Sequence, residues 1–139
     1  MKQAQTILTL SPSGRGLFDF THEVNRWLAA TGIATGLLTL FVRHTSCSLT
    51  IQENADPDVR RDLLDFYARL APDGDPRYRH SEEGPDDMSA HIRTTLTDLS
   101  LAIPVGGGRL LLGTWQGIYL FEHRSGSQRR QVVLHLIGE

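Results

Sequence analysis

Cysteine is nearly absent: Cys47 stands alone among 139 residues, so no internal disulfide can brace the fold. An excess of one charge is missing too. Fourteen Lys and Arg face sixteen Asp and Glu, giving a formal charge of -2 and a pI near 6.3. No global positive field is left to recruit nucleic acid or an anionic membrane. Long apolar runs are lacking. The stretch from Gly32 to Val42 is broken by Thr35 and Thr39 and falls far short of the roughly 20 residues that span a bilayer. The opening Met1–Thr6 has no apolar signal segment, so the expected location is the cytoplasm. Internal repeats and low-complexity segments are absent as well. What is present is average globular usage, 40% hydrophobic and 22% charged, in a length suited to one core, so residues 1–139 are expected to form a single domain.

Punctuation along the chain predicts an α+β order of β-α-β-β-α-α-β-β-β-β. Gln5–Leu10 reads as a strand ended by the Ser11-Pro12-Ser13-Gly14 turn. Thr21 is placed to cap a helix carrying Val24, Trp27 and Leu28, with Gly32 to stop it. Gly36–Arg43 and Ser48–Glu53 read as a β-hairpin turning at His44-Thr45-Ser46-Cys47. Asp56-Pro57 is a helix start, because the carboxylate caps free N–H groups and proline has no N–H to leave unpaired. Ala71–Pro85 is a loop, and a third helix runs from Asp86-Asp87 through His91 to Leu99. Leu101–Val105, Arg109–Leu112, Gly117–His123 and Gln131–Ile137 follow as strands, with Gly-rich, GTWQ and RSGSQ segments as hairpin connections. The result is a mainly antiparallel sheet with about three helices. In Gly117–Arg124, Tyr119, Phe121 and His123 share one face, and Ile118, Leu120, Glu122 and Arg124 the other. Two apolar faces and few helices to cover them predict a homo-oligomer.

Four of the six histidines, His44, His80, His91 and His123, fall at element ends or in loops beside acids. Asp87 and His91 stand four apart, on one helix face, where the carboxylate can orient the imidazole or share a metal with it. His80 lies in the loop feeding that helix, so His80, Asp87 and His91 can converge, with His123 or His44 completing the set. The ordinary alternatives are a solvated His80 and an Asp87 favoured only by the helix dipole. His22 and His135 read as structural, and Cys47 as inert packing. Glu53 and Asn54 sit where a strand hands over to a helix, free to project into a cleft, with Asp56 as the cap. Trp115 and Gln116, between two glycines, suit a turn that stacks or orients a planar substrate, or else a hairpin with a packed Trp. Arg124 is the preferred anion clamp, with Glu122 as its neighbour and partner. Gly106-Gly107-Gly108 lacks the Lys-Ser/Thr of a phosphate loop and joins two strands instead.

Three blocks together, HTSCSLTIQENADPDVRRD from His44, EEGPDDMSAHI from Glu82 and GTWQGIYLFEHR from Gly113, resemble the YjbQ-like family, often labelled secondary thiamine-phosphate synthase enzymes. The resemblance spans essentially the whole chain. Cys47 stands where the family often has a small residue such as Ala, and Ser89 where it often has Pro. The resemblance implies an antiparallel α+β fold, homotrimers with sheets packed around a threefold axis, and a histidine-containing cleft that holds a metal. The expected activity is that of a small-molecule enzyme, a thiamine-phosphate synthase-like transferase, on a phosphorylated substrate. An imidazole-rich site suits a divalent Zn²⁺ better than the oxygen-preferring Mg²⁺. The expected metal ligands are His80, His91 and His123. Glu53, Asp87 and His44 are the expected catalytic groups, and Asn54, Trp115, Gln116 and Arg124 the substrate contacts. The competing reading is a non-enzymatic trimer that binds a metabolite or metal. Neither nucleic acid nor membrane is an expected partner.

Overall fold

The computed structural model describes residues 1–139. In chain order its elements are β1 (Lys2–Leu10), β2 (Gly16–Asp19), α1 (Thr21–Thr31), β3 (Gly36–Val42), β4 (Cys47–Glu53), α2 (Pro57–Leu70), α3 (Asp87–Thr95), β5 (Ser100–Gly106), β6 (Arg109–Leu110), β7 (Gln116–Glu122) and β8 (Arg130–Gly138). They build a five-stranded sheet, β1-β8-β3-β5-β6, and a three-stranded sheet, β2-β7-β4. Every strand pairing is antiparallel. The expected α+β domain with three helices is what forms.

Alternation places the core between the sheets. Leu38, Leu40 and Val42 of β3, Val132, Leu134 and Leu136 of β8, and Ile118 and Leu120 of β7 join one buried cluster with Val24 and Leu28 of α1. Burying these side chains supplies the main stabilisation, about 1.5–3 kcal/mol each before entropy is charged. The helix starts follow local chemistry. Asp56 accepts the Asp58 N–H at 2.9 Å ahead of Pro57, as expected of that pair. Gly32 closes α1 in the left-handed region at φ 72°. Thr21, however, lies inside α1 and does not cap it; Asp19 Oδ1 accepts both its backbone N–H and its hydroxyl.

Four expectations are corrected. β3 and β4 are no hairpin: they belong to different sheets, and residues 43–46 carry the chain from one to the other. A short polar segment serves a crossover between stacked sheets as readily as a reversal within one. The GTWQ and RSGSQ segments are likewise crossovers. Gly107 and Gly108, at φ 58° and 75°, do make the tight turn of the β5–β6 hairpin. Short β2, with Leu17 and Phe18 as its only large apolar residues, was not legible as a strand. Finally, α3 stops at Thr95, leaving Leu96 and Leu99 exposed, because Thr97 Oγ1 bonds back to the Arg93 carbonyl and Asp98 O receives the Leu49 N–H.

Both faces of β7 are covered within one chain. Ile118 and Leu120 meet the main core, and on the other face the Phe121 ring packs edge-on against Tyr67 of α2, centroids 5.3 Å apart. The open apolar surface lies elsewhere, on the outer face of the five-stranded sheet. There Ile7, Leu37, Phe41 and Ile137 are exposed, on strands whose register puts Ile7 and Phe41 opposite Val133 and Leu37 opposite Ile137. No helix is long and apolar enough to cross a membrane.

Candidate metal centre

Where β4 begins and β7 ends, the loop before α3 and the first turns of α3 bring four ligating side chains together. One donor atom each from His80, Glu83, Asp87 and His91 lies within 4.8 Å of the others. Asp87 is the hub. Its Oδ2 is 2.6 Å from His80 Nε2 and 3.1 Å from His91 Nε2, while its Oδ1 accepts from Arg124 Nη1 at 2.8 Å. Glu83, on the exposed side, reaches to 3.4 Å from His80 Nε2. Asp87 and His91, four apart, share one face of α3, and the irregular loop before the helix folds His80 and Glu83 back onto them. Glu83 was not among the expected ligands: it lies in the irregular loop, and only its place near His80 in the sequence hints at it.

The tautomer of His91 follows from its surroundings. Its Nδ1 lies 2.9 Å from the Thr45 carbonyl, which can only accept, so Nδ1 carries a proton. Nε2 is then turned toward Asp87 Oδ2. A neutral ring would aim its lone pair at a carboxylate, and a cation at Nε2, whether a proton or a metal ion, removes that repulsion. Carbonyl-oriented imidazoles and a carboxylate fixed from behind by arginine are the outer-shell pattern of transition-metal ligands. The electrostatics agree. Burial pushes the Asp87 carboxyl up, but the hydrogen bond from His80 and the charges of His91 and Arg124 outweigh it and hold it low. The Asp87 hydrogen bond in turn raises His80.

Asp86 and Asp87 do more than begin a helix. Burial opposes ionisation of Asp86, yet the Arg124 guanidinium and the Ser125 N–H and hydroxyl hold its carboxyl far below the usual range. Arg124 thus spends its donors on Asp86, Asp87 and the Glu83 carbonyl. The expected Glu122–Arg124 side-chain pair does not form. Glu122 is fully buried, bound by Arg130 through two contacts of 2.6 Å, and offers Arg124 only a bond to its backbone N–H.

His123 and His44 stand outside the cluster. His123 is fully buried with Nε2 2.9 Å from Ser48 Oγ. Thr97 must give its one hydroxyl proton to the Arg93 carbonyl, so Ser48 donates to Thr97 and the His123 Nε2–H donates to Ser48. Nδ1 of His123 is left bare and without a partner. Burial, reinforced by Arg93, Arg15 and Arg130, lowers its pKa to about 3. His44 Nε2 accepts the Gln131 N–H at 2.9 Å, and burial lowers its pKa as well. Arg93, one of the most buried side chains, donates to the Ala71 carbonyl. It has no apolar pattern to announce it and was missed.

The remaining expected site residues lie at the opposite end of the same strand pair. Cys47 pairs with Glu122 at one end and Glu53 with Gln116 at the other, about 20 Å apart at 3.3 Å per residue. There Glu53 Oε2 accepts the Asp56 N–H and so supports the α2 cap. Gln116 Oε1 accepts the Gly113 N–H, Asn54 reaches the Gln116 carbonyl, and Trp115 is 63% exposed, so it is not a packed hairpin residue. One expected site is therefore two separate places.

The comparisons agree with this architecture. The profile of a family described as UPF0047 protein YjbQ-like matches residues 6–139. A UPF0047 protein of Synechocystis sp. is 52% identical over 138 residues, covering 99% of this chain and 94% of its own. The UPF0047 protein YjbQ of Escherichia coli O157:H7 is 45% identical over 136 residues, covering 97% and 98%. Among solved structures, a conserved hypothetical protein from Thermus thermophilus superposes with TM-score 0.85 at 39% identity, covering 95% of this chain and 99% of its own.

Proposed function

The chain belongs to the YjbQ-like UPF0047 family, and from the donor set of its cluster we propose that it is a metal-dependent enzyme acting on a small polar molecule. The observation that carries this reading is the His91 Nδ1–Thr45 carbonyl bond, which turns Nε2 toward Asp87 Oδ2, where an imidazole lone pair and a carboxylate oxygen could share a metal ion. His80, Asp87 and His91 would hold the ion, with Glu83 as a fourth, exposed ligand or a proton carrier. Two imidazoles and a carboxylate favour zinc or another divalent transition metal. When bound, such an ion supplies Lewis acidity at a substrate oxygen or phosphate.

The chain's own residues supply the rest. A cleft of about 430 Å³ lined by Asp75, Tyr78, His80 and Ser81 adjoins the cluster and offers room for a small polar substrate. Arg124 is the positioning residue for Asp87, since its donors already meet protein acceptors. The thiamine-phosphate synthase activity suggested by the family resemblance asks for a free diphosphate clamp, so it finds less support here than a metal-assisted reaction on a single oxygen or phosphate. A homotrimer is part of the proposal, with the exposed Ile7, Leu37, Phe41 and Ile137 face buried between subunits.

Elemental analysis of untagged protein tests the reading, alongside His91→Ala and a circular dichroism check of its fold. About one transition metal per chain, lost in a folded variant, supports it. Unchanged metal content in the variant rejects the ligand assignment, and metal without turnover on any oxygen- or phosphate-bearing substrate leaves the non-enzymatic binding protein.

A further inference from the structure

We infer a second ligand site at the Glu53 end of the β4–β7 pair, built around Arg60, that takes a small apolar-bodied amino acid through its carboxylate and its ammonium group. It does not depend on the metal reading.

The first observation is a cation without a partner. Five arginines are buried or largely shielded from solvent: Arg15, Arg60, Arg93, Arg124 and Arg130. Four of them meet a carboxylate within 4.0 Å, namely Arg15 and Arg93 on Asp73, Arg124 on Asp86 and Asp87, and Arg130 on Glu122. Arg60 meets none. Its Nη1 donates only to the Tyr119 hydroxyl at 3.3 Å, and its Cζ sits 5.9 Å from the Tyr119 ring centroid. Tyr119 is buried and its own proton goes to the Glu53 carbonyl at 3.0 Å, so this contact orients Arg60 without neutralising it. A half-buried guanidinium held in place with its remaining N–H fork free is matched to a carboxylate or phosphate.

The second observation is the space in front of it. A cleft of about 350 Å³ is lined by Leu17, Phe18, Asp19, Asn54, Arg60 and Tyr119. A second hollow, of about 330 Å³, shares Leu17, Phe18 and Arg60 with it. Leu17 and Phe18 supply an apolar wall. Gly117 keeps the floor open: a methyl there would lie 2.9 Å from Asp19 Oδ2 and 3.2 Å from the Tyr119 ring.

The third observation selects among anions. Asp19 Oδ1 is occupied by Thr21, but Oδ2 has no hydrogen-bond partner and faces this floor. A doubly charged phosphate would meet Asp19 as a like charge, whereas a ligand with one carboxylate and one ammonium matches both walls. An apolar side chain then lies along Leu17 and Phe18.

The test is amide NMR of ¹⁵N-labelled protein titrated with L-phenylalanine, with 3-phenylpropanoate and phenethylamine as probes lacking one charge each. Saturable shifts at Leu17, Asn54 and Tyr119, at least tenfold weaker binding of either control, and loss of binding in Arg60→Gln support the site. Asp19→Asn keeps the bond to Thr21 and should erase the preference for L-phenylalanine over 3-phenylpropanoate, which keeps the idea testable if Arg60→Gln fails to fold. No saturable shift at these residues, shifts that survive Arg60→Gln, or equal binding of 3-phenylpropanoate to the unaltered protein would overturn it.

Discussion

Arg124 grips Asp87 from behind: its Nη1 lies 2.8 Å from Oδ1, leaving Oδ2 to face His80 and His91. The bond crosses from the end of β7 to the first turn of α3, so the strand sets the angle of a carboxylate on the helix.

Removing that grip should loosen the cluster without dismantling it. Arg124→Met is expected to weaken metal affinity by about 10–100-fold, the usual cost of losing an outer-shell partner. Competition with a chromogenic chelator measures this, and affinity within twofold of the unaltered protein would contradict it.

His123 makes the metal-free protein sensitive to acid. Its folded pKa of about 3 lies below the unfolded 6.5, so between these values the unfolded chain binds the extra proton. Stability should therefore fall as pH drops from 6.5 toward 3, by up to about 1.4 kcal/mol per pH unit. His44, also lowered, adds in the same direction. His80 acts outside this window: its stabilisation is present below 6.5 and is lost as pH rises through its raised folded value. Urea unfolding at pH 6.5 and pH 5, above the carboxylate range, reads the slope, and a flat profile would remove His123 from a neutral buried role.

Arg130 and Glu122 form an ion pair at the sheet interior, with Arg130 also bound to the Ser46 hydroxyl. Arg130→Met leaves a buried carboxylate uncompensated and should cost about 3–5 kcal/mol. Glu122→Gln combined with Arg130→Met should cost less than the sum of the two single changes. Denaturant midpoints of the three variants decide it.

Cys47 should be silent toward thiol reagents in the native protein. It is fully buried, and burial pushes its pKa up to about 12, which leaves almost no thiolate at neutral pH. Ellman's reagent should react only on unfolding, at the unfolding rate, and rapid native labelling would show the start of β4 to be open.

Much of the fold was legible because periodicity and punctuation are local. Asp56-Pro57, Gly32 and the alternation of β3 and β8 each announced themselves within a few residues. The pairing of strands was not, because the 43–46 crossover has the same polar composition as a hairpin turn. The candidate site divided along the same line. Asp87 and His91 share one helix face and His80 lies in the loop leading into it, so local sequence gathered them. His123, Glu53 and Trp115 could be assigned only through long-range pairing, and Arg93 or Ser48 only by knowing what surrounds them.

The position of β8 between β1 and β3 has a consequence for synthesis. Lys2 pairs with Gly138, and Leu38 with Leu136, so the larger sheet cannot close until β8 has left the ribosome. Such long-range closure makes for slow folding. Until then the edges of β1 and β3 and the apolar face behind them stay open to other chains, so the nascent chain is exposed to aggregation up to the moment β8 inserts between them.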